Sequence, residues 1–183
     1  MNEYTRINQV LDSGLNKDKI NILESLSQSS DQGIINKIIS KLDDSEIQVR
    51  GEAFSSLFLN KNDISEFLID ALNSPNKNIK GFSALVLANR NDLSAVSTIE
   101  SLTKDSSGMV RSCALGALGH LHSTNSIRII RQCFQDKVLE VRKSAVQAFL
   151  KLGGDILPIE VNELTKNADH ELKFLITKVS KNM

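Results

Sequence analysis

The chain has no tryptophan, one tyrosine and seven phenylalanines, so aromatic residues are 4% of its 183 residues. So sparse a set argues against a groove that handles nucleic-acid bases by stacking. Two prolines and nine glycines leave few helix breakers, which suits a helical protein. The two cysteines, Cys113 and Cys133, make neither a disulfide framework nor a metal-spaced pair. Charge of one sign is missing too: 22 lysines and arginines face 22 aspartates and glutamates. A dedicated nucleic-acid binder normally carries a basic excess, although balance leaves room for a local patch. No window approaches the ~18 consecutive apolar residues of a membrane span. The N-terminal MNEYTRINQVLDSG lacks the apolar core of a secretion signal. A soluble protein of a reducing cytoplasm is the expectation, with enough apolar residues (40%) for one domain over 1–183.

What is present is a repeat. Val141-Arg142 has counterparts in Val110-Arg111, Ile79-Lys80 and Val49-Arg50 upstream and Leu172-Lys173 downstream, spaced by 30 or 31 residues. One more step back reaches Asp18-Lys19, which keeps only the base. Four residues after these anchors stand Ile22, Ala53, Ser83, Ala114, Ala145 and Ile176; four further on stand Leu26, Leu57, Leu87, Leu118, Phe149 and Ser180. Anchor, plus four, plus eight is one side of an α-helix. A second helix precedes each anchor. Its apolar side is carried by rows seven and eleven before the anchor, such as Leu42 with Ile38 and Leu72 with Leu68. Five before the anchor, Ser13, Asp44, Ser74, Asp105, Asp136 and Asn167 are all favoured N-cap types, and Pro75 after Ser74 suits a first helical position. The expected fold is all-α: an α-solenoid of about twelve short helices, with anchors near 18, 49, 79, 110, 141 and 172.

The residue after each anchor is Lys19, Arg50, Lys80, Arg111, Arg142 and Lys173. A base in every repeat, locked to a core position, predicts a seam. Each stem is buried and each head reaches capping carboxylates or loop carbonyls. The competing reading, a cationic stripe for nucleic acid, does not explain the fixed core register.

The pattern L-x-D-x-x-x-x-V-R-x-x-A-x-x-x-L, carried by Leu42, Asp44, Val49, Arg50, Ala53 and Leu57, resembles the short HEAT repeats of the phycobilin-lyase type. Phe134, Asp136, Val141, Arg142, Ala145 and Phe149 carry it again, and ALGALGHL from Ala114 to Leu121 is similar to these repeats. Departures are Asp18 at an anchor, Thr103 and Thr165 at core positions, and Gly51 and Gly81 inside helices, for which close packing is one account. The resemblance implies binding of another macromolecule.

Candidate chemistry is thin. Iron hydroxylases on such repeats resemble paired His-Glu dipeptides after the anchor. Here the corresponding positions hold no histidine, and the one His-Glu, His170-Glu171, lies before its anchor. His120 and His122 fall in a turn register where the other repeats carry mostly polar residues. Cys113 falls in an outward register and Cys133 in a half-buried one. A zinc site from these four is a minor alternative. Catalytic and phosphate-binding motifs do not stand out, so no cofactor, no metal and no enzyme activity is expected.

In stacks of this kind the second helices line the concave wall. Their outward positions are Asn36 and Ser40, Glu66 and Asp70, Ser97 and Ser101, Arg128 and Gln132, then Ile159 and Glu163. Glu100 and Arg131, ten before their anchors, are expected side by side. This mixed-charge face is the expected site for a protein partner, making the chain a non-catalytic adaptor, escort or inhibitor. The resemblance implies one alternative, an accessory subunit of a tetrapyrrole-attachment lyase; a nucleic-acid binder is another. The last helix, with Phe174, Leu175, Ile176 and Val179, offers a surface for self-association.

Overall fold

The computed structural model describes residues 3–166 and 168–180; within these, the side chains at 158, 163 and 178–180 are left out of the description. The described residues form twelve α-helices and no strand. The chain divides into two compact units, Met1–Arg90 and Asn91–Met183. The first holds α1 (Glu3–Ser13), α2 (Asn16–Ser25), α3 (Gln32–Ser40), α4 (Ile47–Leu59), α5 (Ser65–Ala71) and α6 (Lys77–Asn89). The second holds α7 (Val96–Leu102), α8 (Gly108–His120), α9 (Ile127–Gln132), α10 (Leu139–Lys151), α11 (Pro158–Thr165) and α12 (His170–Ser180). Even-numbered helices are the first helices of the repeats and odd-numbered ones the second.

The core follows the repeat rows. Val49, Val110, Val141 and Leu172 are buried at the anchor, and Ala53, Ser83, Ala114, Ala145 and Ile176 four residues later. Leu57, Leu87, Leu118 and Phe149 complete that side of the first helices, while Leu42, Leu72, Ile38, Leu68 and Ile99 face them from the second. Asp18, the divergent anchor, is exposed. The two threonines at core positions are accommodated locally. Thr103 Oγ1 donates to Glu100 O at 2.7 Å and Thr165 Oγ1 to Val161 O at 2.8 Å, so neither hydroxyl lacks a partner.

The caps differ from the sequence expectation. The residues that flank the helix starts are Leu15, Glu46, Asn76, Ser107 and Val138, two positions later than expected. Asp44, Ser74, Asp105 and Asp136 instead close a tight turn before the helix. Each side-chain oxygen accepts the amide two residues on, at 3.1, 3.1, 2.8 and 2.8 Å. Pro75 therefore sits in that turn, ahead of the flanking Asn76, and not at the first helical position. Ser13 ends α1, donating to Gln9 O at 3.0 Å; Asn167 lies outside the described residues. Periodicity located the right side chains, but helix and turn use the same polar types.

Helix ends repeat as well. Asn91, His122 and Gly153, each twelve after its anchor, adopt left-handed backbone with φ of 55°, 50° and 73°. After α8 the amide of Ser123 returns to Leu118 O at 3.2 Å, and after α10 that of Gly154 to Phe149 O at 3.0 Å. These bonds satisfy carbonyls that the helix leaves unpaired. His122 is thus a helix terminator.

Candidate functional site

The base row builds a seam within each unit. Lys19 and Arg111 are buried. Lys19 Nζ reaches Asp44 at 2.9 Å, and Arg111 grips Asp136 with two bonds of 2.7 and 2.8 Å. Each therefore holds the turn aspartate of the following repeat. The arginines also clamp their own turn: Arg50 donates to Asp44 O at 2.7 Å, Arg111 to Asp105 O at 2.8 Å and Arg142 to Asp136 O at 2.8 Å. Burial pushes the Asp136 carboxyl up, but Arg111 and the Val138 amide outweigh it and hold it below 3.8; the Glu46 amide and Lys19 do the same for Asp44. Lys80 is half-buried, and Lys173, in the last repeat, is exposed.

A second row was not anticipated. Eleven after the anchor, Asn60 Nδ2 donates to Ser29 O at 2.8 Å, and Arg90 closes the end of α4 by donating to Leu57 O (3.1 Å), Asn60 O and Asn62 O (2.9 Å). These residues read as ordinary turn polars in sequence, and only stacking brings each one over the preceding turn. Lys143 is another surprise: its Nζ is buried among Asp169 (2.6 Å), Glu171 (2.7 Å) and Glu140 (3.1 Å), tying α10 to the start of α12.

The residues expected to meet a partner lie where the register puts them. Asn36, Ser40, Glu66, Asp70, Ser97, Ser101, Arg128 and Gln132 are exposed on second helices, and Glu100 and Arg131 are half-exposed. The side chain of Glu163 is outside the description. Glu100 and Arg131 are not paired as expected. Glu100 accepts Ser126 Oγ at 2.6 Å. Arg131 stacks over Phe149, 4.8 Å from the ring centre, and donates through Nη2 to Glu160 at 3.2 Å; its Nε lies 3.0 Å from the same carboxylate without hydrogen-bond alignment. Adjacency in the repeat set the row, but Glu160 and Ser126 come closer.

In the first unit this face opens into a groove between α3 and α5 of about 270 Å³. Asn36, Ser40 and Asp70 are at its rim, and Ile39, Phe67, Ala71 and Ile79 supply apolar lining. Two rows explain it. Twelve and eight before the anchor stand Lys37 on α3 and Lys41 just after its end, which reach back to Asp12 of α1 at 2.6 and 3.2 Å. The same two rows on α5 are Phe67 and Ala71, which have no charge to reach back with. The α1–α3 seam is laced by ion pairs, and the α3–α5 seam is left apolar and open. The Lys37 bond, joined by Lys41, holds the Asp12 carboxyl below 3.8.

A second groove, about 310 Å³, lies between α4 and α6 and is lined by Ile47, Arg50, Gly51, Phe54, Phe82 and Leu85. Ile47 is 74% exposed and Phe58, further along α4, 41%. A side-chain carbon at Gly51 would meet nothing within 4 Å, so close packing does not account for this glycine. Gly81 is buried.

The histidines and cysteines do not converge. His120, His122 and His170 are exposed, and among the described residues no three His, Cys, Asp or Glu side chains could hold a metal ion. Cys113 is half-buried where an outward position was expected, and burial pushes its thiol up to about 11, which leaves it a poor nucleophile. Among the described residues no helix is long and apolar enough to cross a membrane. On α12, Phe174 is 60% exposed while Leu175 is half-buried and Ile176 buried; the Val179 side chain is outside the description.

Comparison with known proteins identifies the architecture. The family model for HEAT repeats matches residues 65–150. No curated protein matches the chain. Among solved structures, the complex of CpcE and CpcF of phycocyanin lyase from Nostoc is 19% identical with a TM-score of 0.57, over 96% of this chain and 74% of that one. An engineered protein from a structural genomics consortium is 16% identical with a TM-score of 0.58, over 100% and 96%. Computationally designed armadillo repeat proteins for modular peptide recognition are 16% identical with a TM-score of 0.53, over 98% and 99%. At such identities the likeness is one of fold. Residues 65–150 thus match HEAT repeats, and the same rows run through the described repeats on both sides, so the fold is that of an all-α helical repeat protein.

Proposed function

We propose that the chain is a non-catalytic protein-interaction scaffold that takes a segment of a partner protein along the exposed side of its second helices. The observation that carries this reading is the α3–α5 groove, where Asn36, Ser40 and Asp70 stand around an apolar floor. Apolar lining with a few convergent polar groups is the usual make-up of a recognition site. The designed armadillo neighbours, whose purpose is modular peptide recognition, support the idea that such a stack can present one. A photo-crosslinking amino acid placed at Asn36 or Asp70 should trap the same partner segment, and one at Gly51, in the other groove, should not. Ala71→Trp, which fills the floor, should abolish the adducts while the helical signal is retained. Adducts formed at Gly51 alone would overturn the reading.

A further inference from the structure

We infer that the segment received by the α3–α5 groove is basic and aliphatic: a lysine or arginine beside a leucine-sized side chain. The inference rests on the scaffold reading above and adds the chemistry of the partner. It comes from how charge is spent on this side of the first unit. Lys37 on α3 and Lys41, which follows the end of that helix, are four residues apart and share Asp12 as a counter-charge. The two carboxylates of α5, Glu66 and Asp70, are also one turn apart and exposed, and among the described residues neither side chain has a partner. Like charges at this spacing repel, and here nothing in the described chain relieves them. Asp70 stands on the rim of a cavity whose floor is Ile39, Phe67, Ala71 and Ile79. Its volume of about 270 Å³ has room for one or two aliphatic side chains. The Asn36 amide on the opposite rim also has no partner among the described residues and can bond a backbone. An incoming cation would give Glu66 and Asp70 the shared counter-charge that Asp12 gives Lys37 and Lys41, and its aliphatic neighbour would cover the floor.

Fluorescence anisotropy with three labelled synthetic peptides tests this on the full chain. One alternates lysine with leucine, one replaces lysine by glutamate, and one replaces leucine by serine. The lysine–leucine peptide should bind on the order of tenfold tighter than either of the others. Asp70→Asn with Glu66→Gln should weaken it roughly tenfold, and both positions are exposed, so folding should be unaffected. Asp12→Asn, outside the groove, should also weaken it by roughly threefold, because it frees Lys37 and Lys41 to repel the peptide. Equal binding of the glutamate peptide, or unchanged binding by the Asp70/Glu66 variant, would overturn the inference. Binding that survives Ala71→Trp would overturn it too, by showing attraction without a pocket. If crosslinks at Asn36 and Asp70 capture a partner segment that is neutral or acidic, the scaffold reading stands and this inference fails.

Discussion

In the first unit α4 and α6 stand apart, with Phe54 and Phe82 lining an open groove between them. In the second unit α8 and α10 pack along their length. The row nine after the anchor differs between the two. It is Phe58 on α4 and Gly119 on α8. A methyl group added at Gly119 would lie 2.9 Å from Ala148 Cα and 3.0 Å from its Cβ, so the absent side chain is what admits α10. The loops divide in the same way. The first unit joins its turns by polar reach, through Asn60, Arg90 and Gln28, which donates to Leu59 O at 3.0 Å. At the register of Asn60 and Arg90 the second unit has Leu121, which is buried, and Leu152. One repeat pattern therefore supports two kinds of junction, a dry one and a polar, grooved one. The groove proposed for recognition, between α3 and α5, falls in the polar, grooved unit.

The comparison can be broken at its strongest ion pair first. Arg111→Met should cost about 3 kcal/mol, because it strands a mostly buried Asp136 carboxylate. Urea unfolding followed by amide exchange should place the loss in α8 and α10, with α2 and α4 still protected; equal loss in both units would make the seam communal. Gly119→Ala comes next, at about 2 kcal/mol, since Ala148 backbone must move to admit the methyl. Gly51→Ala sharpens the contrast by having the opposite sign. With nothing within 4 Å, the methyl fits and the helix gains up to about 1 kcal/mol. A destabilised Gly51→Ala would mean that the α4–α6 groove closes in solution.

The smallest expected effect is the pH dependence. Asp44 and Asp136 are held below 3.8 in the folded chain. Groups with depressed folded values stabilise above the unfolded pKa, and that contribution is lost as pH falls through the folded one. Thermal stability should hold down to about pH 5 and decline below the ordinary carboxylate value. Asp136→Asn should make that decline shallower, most visibly in the exchange rates of α8 and α10.

Much of the fold was legible because burial has a period. Val49, Ala53 and Leu57 announce a buried helix side whatever they pack against, and Lys19, Arg50, Arg111 and Arg142 announce a seam because a base recurs at a core register. The exposure of Asn36, Ser40, Glu66 and Asp70 followed from the same counting. The turn aspartates were misplaced by two residues because Asp and Ser suit a turn and a cap equally. The Glu100–Arg131 pairing failed because row adjacency does not rank competing partners, and Glu160 and Ser126 lie nearer.

Taken alone, the order of side chains determined the repeat length, the helix sides and the row of bases, since each depends on neighbours within about one turn or one repeat. Which seams close and which open was decided only by tertiary packing. Phe67 and Ala71 line an open groove where Lys37 and Lys41 lace the preceding seam to Asp12, and Gly119 makes a junction because Ala148 arrives against it. Those outcomes depend on distances between helices, which a single row of the sequence does not contain.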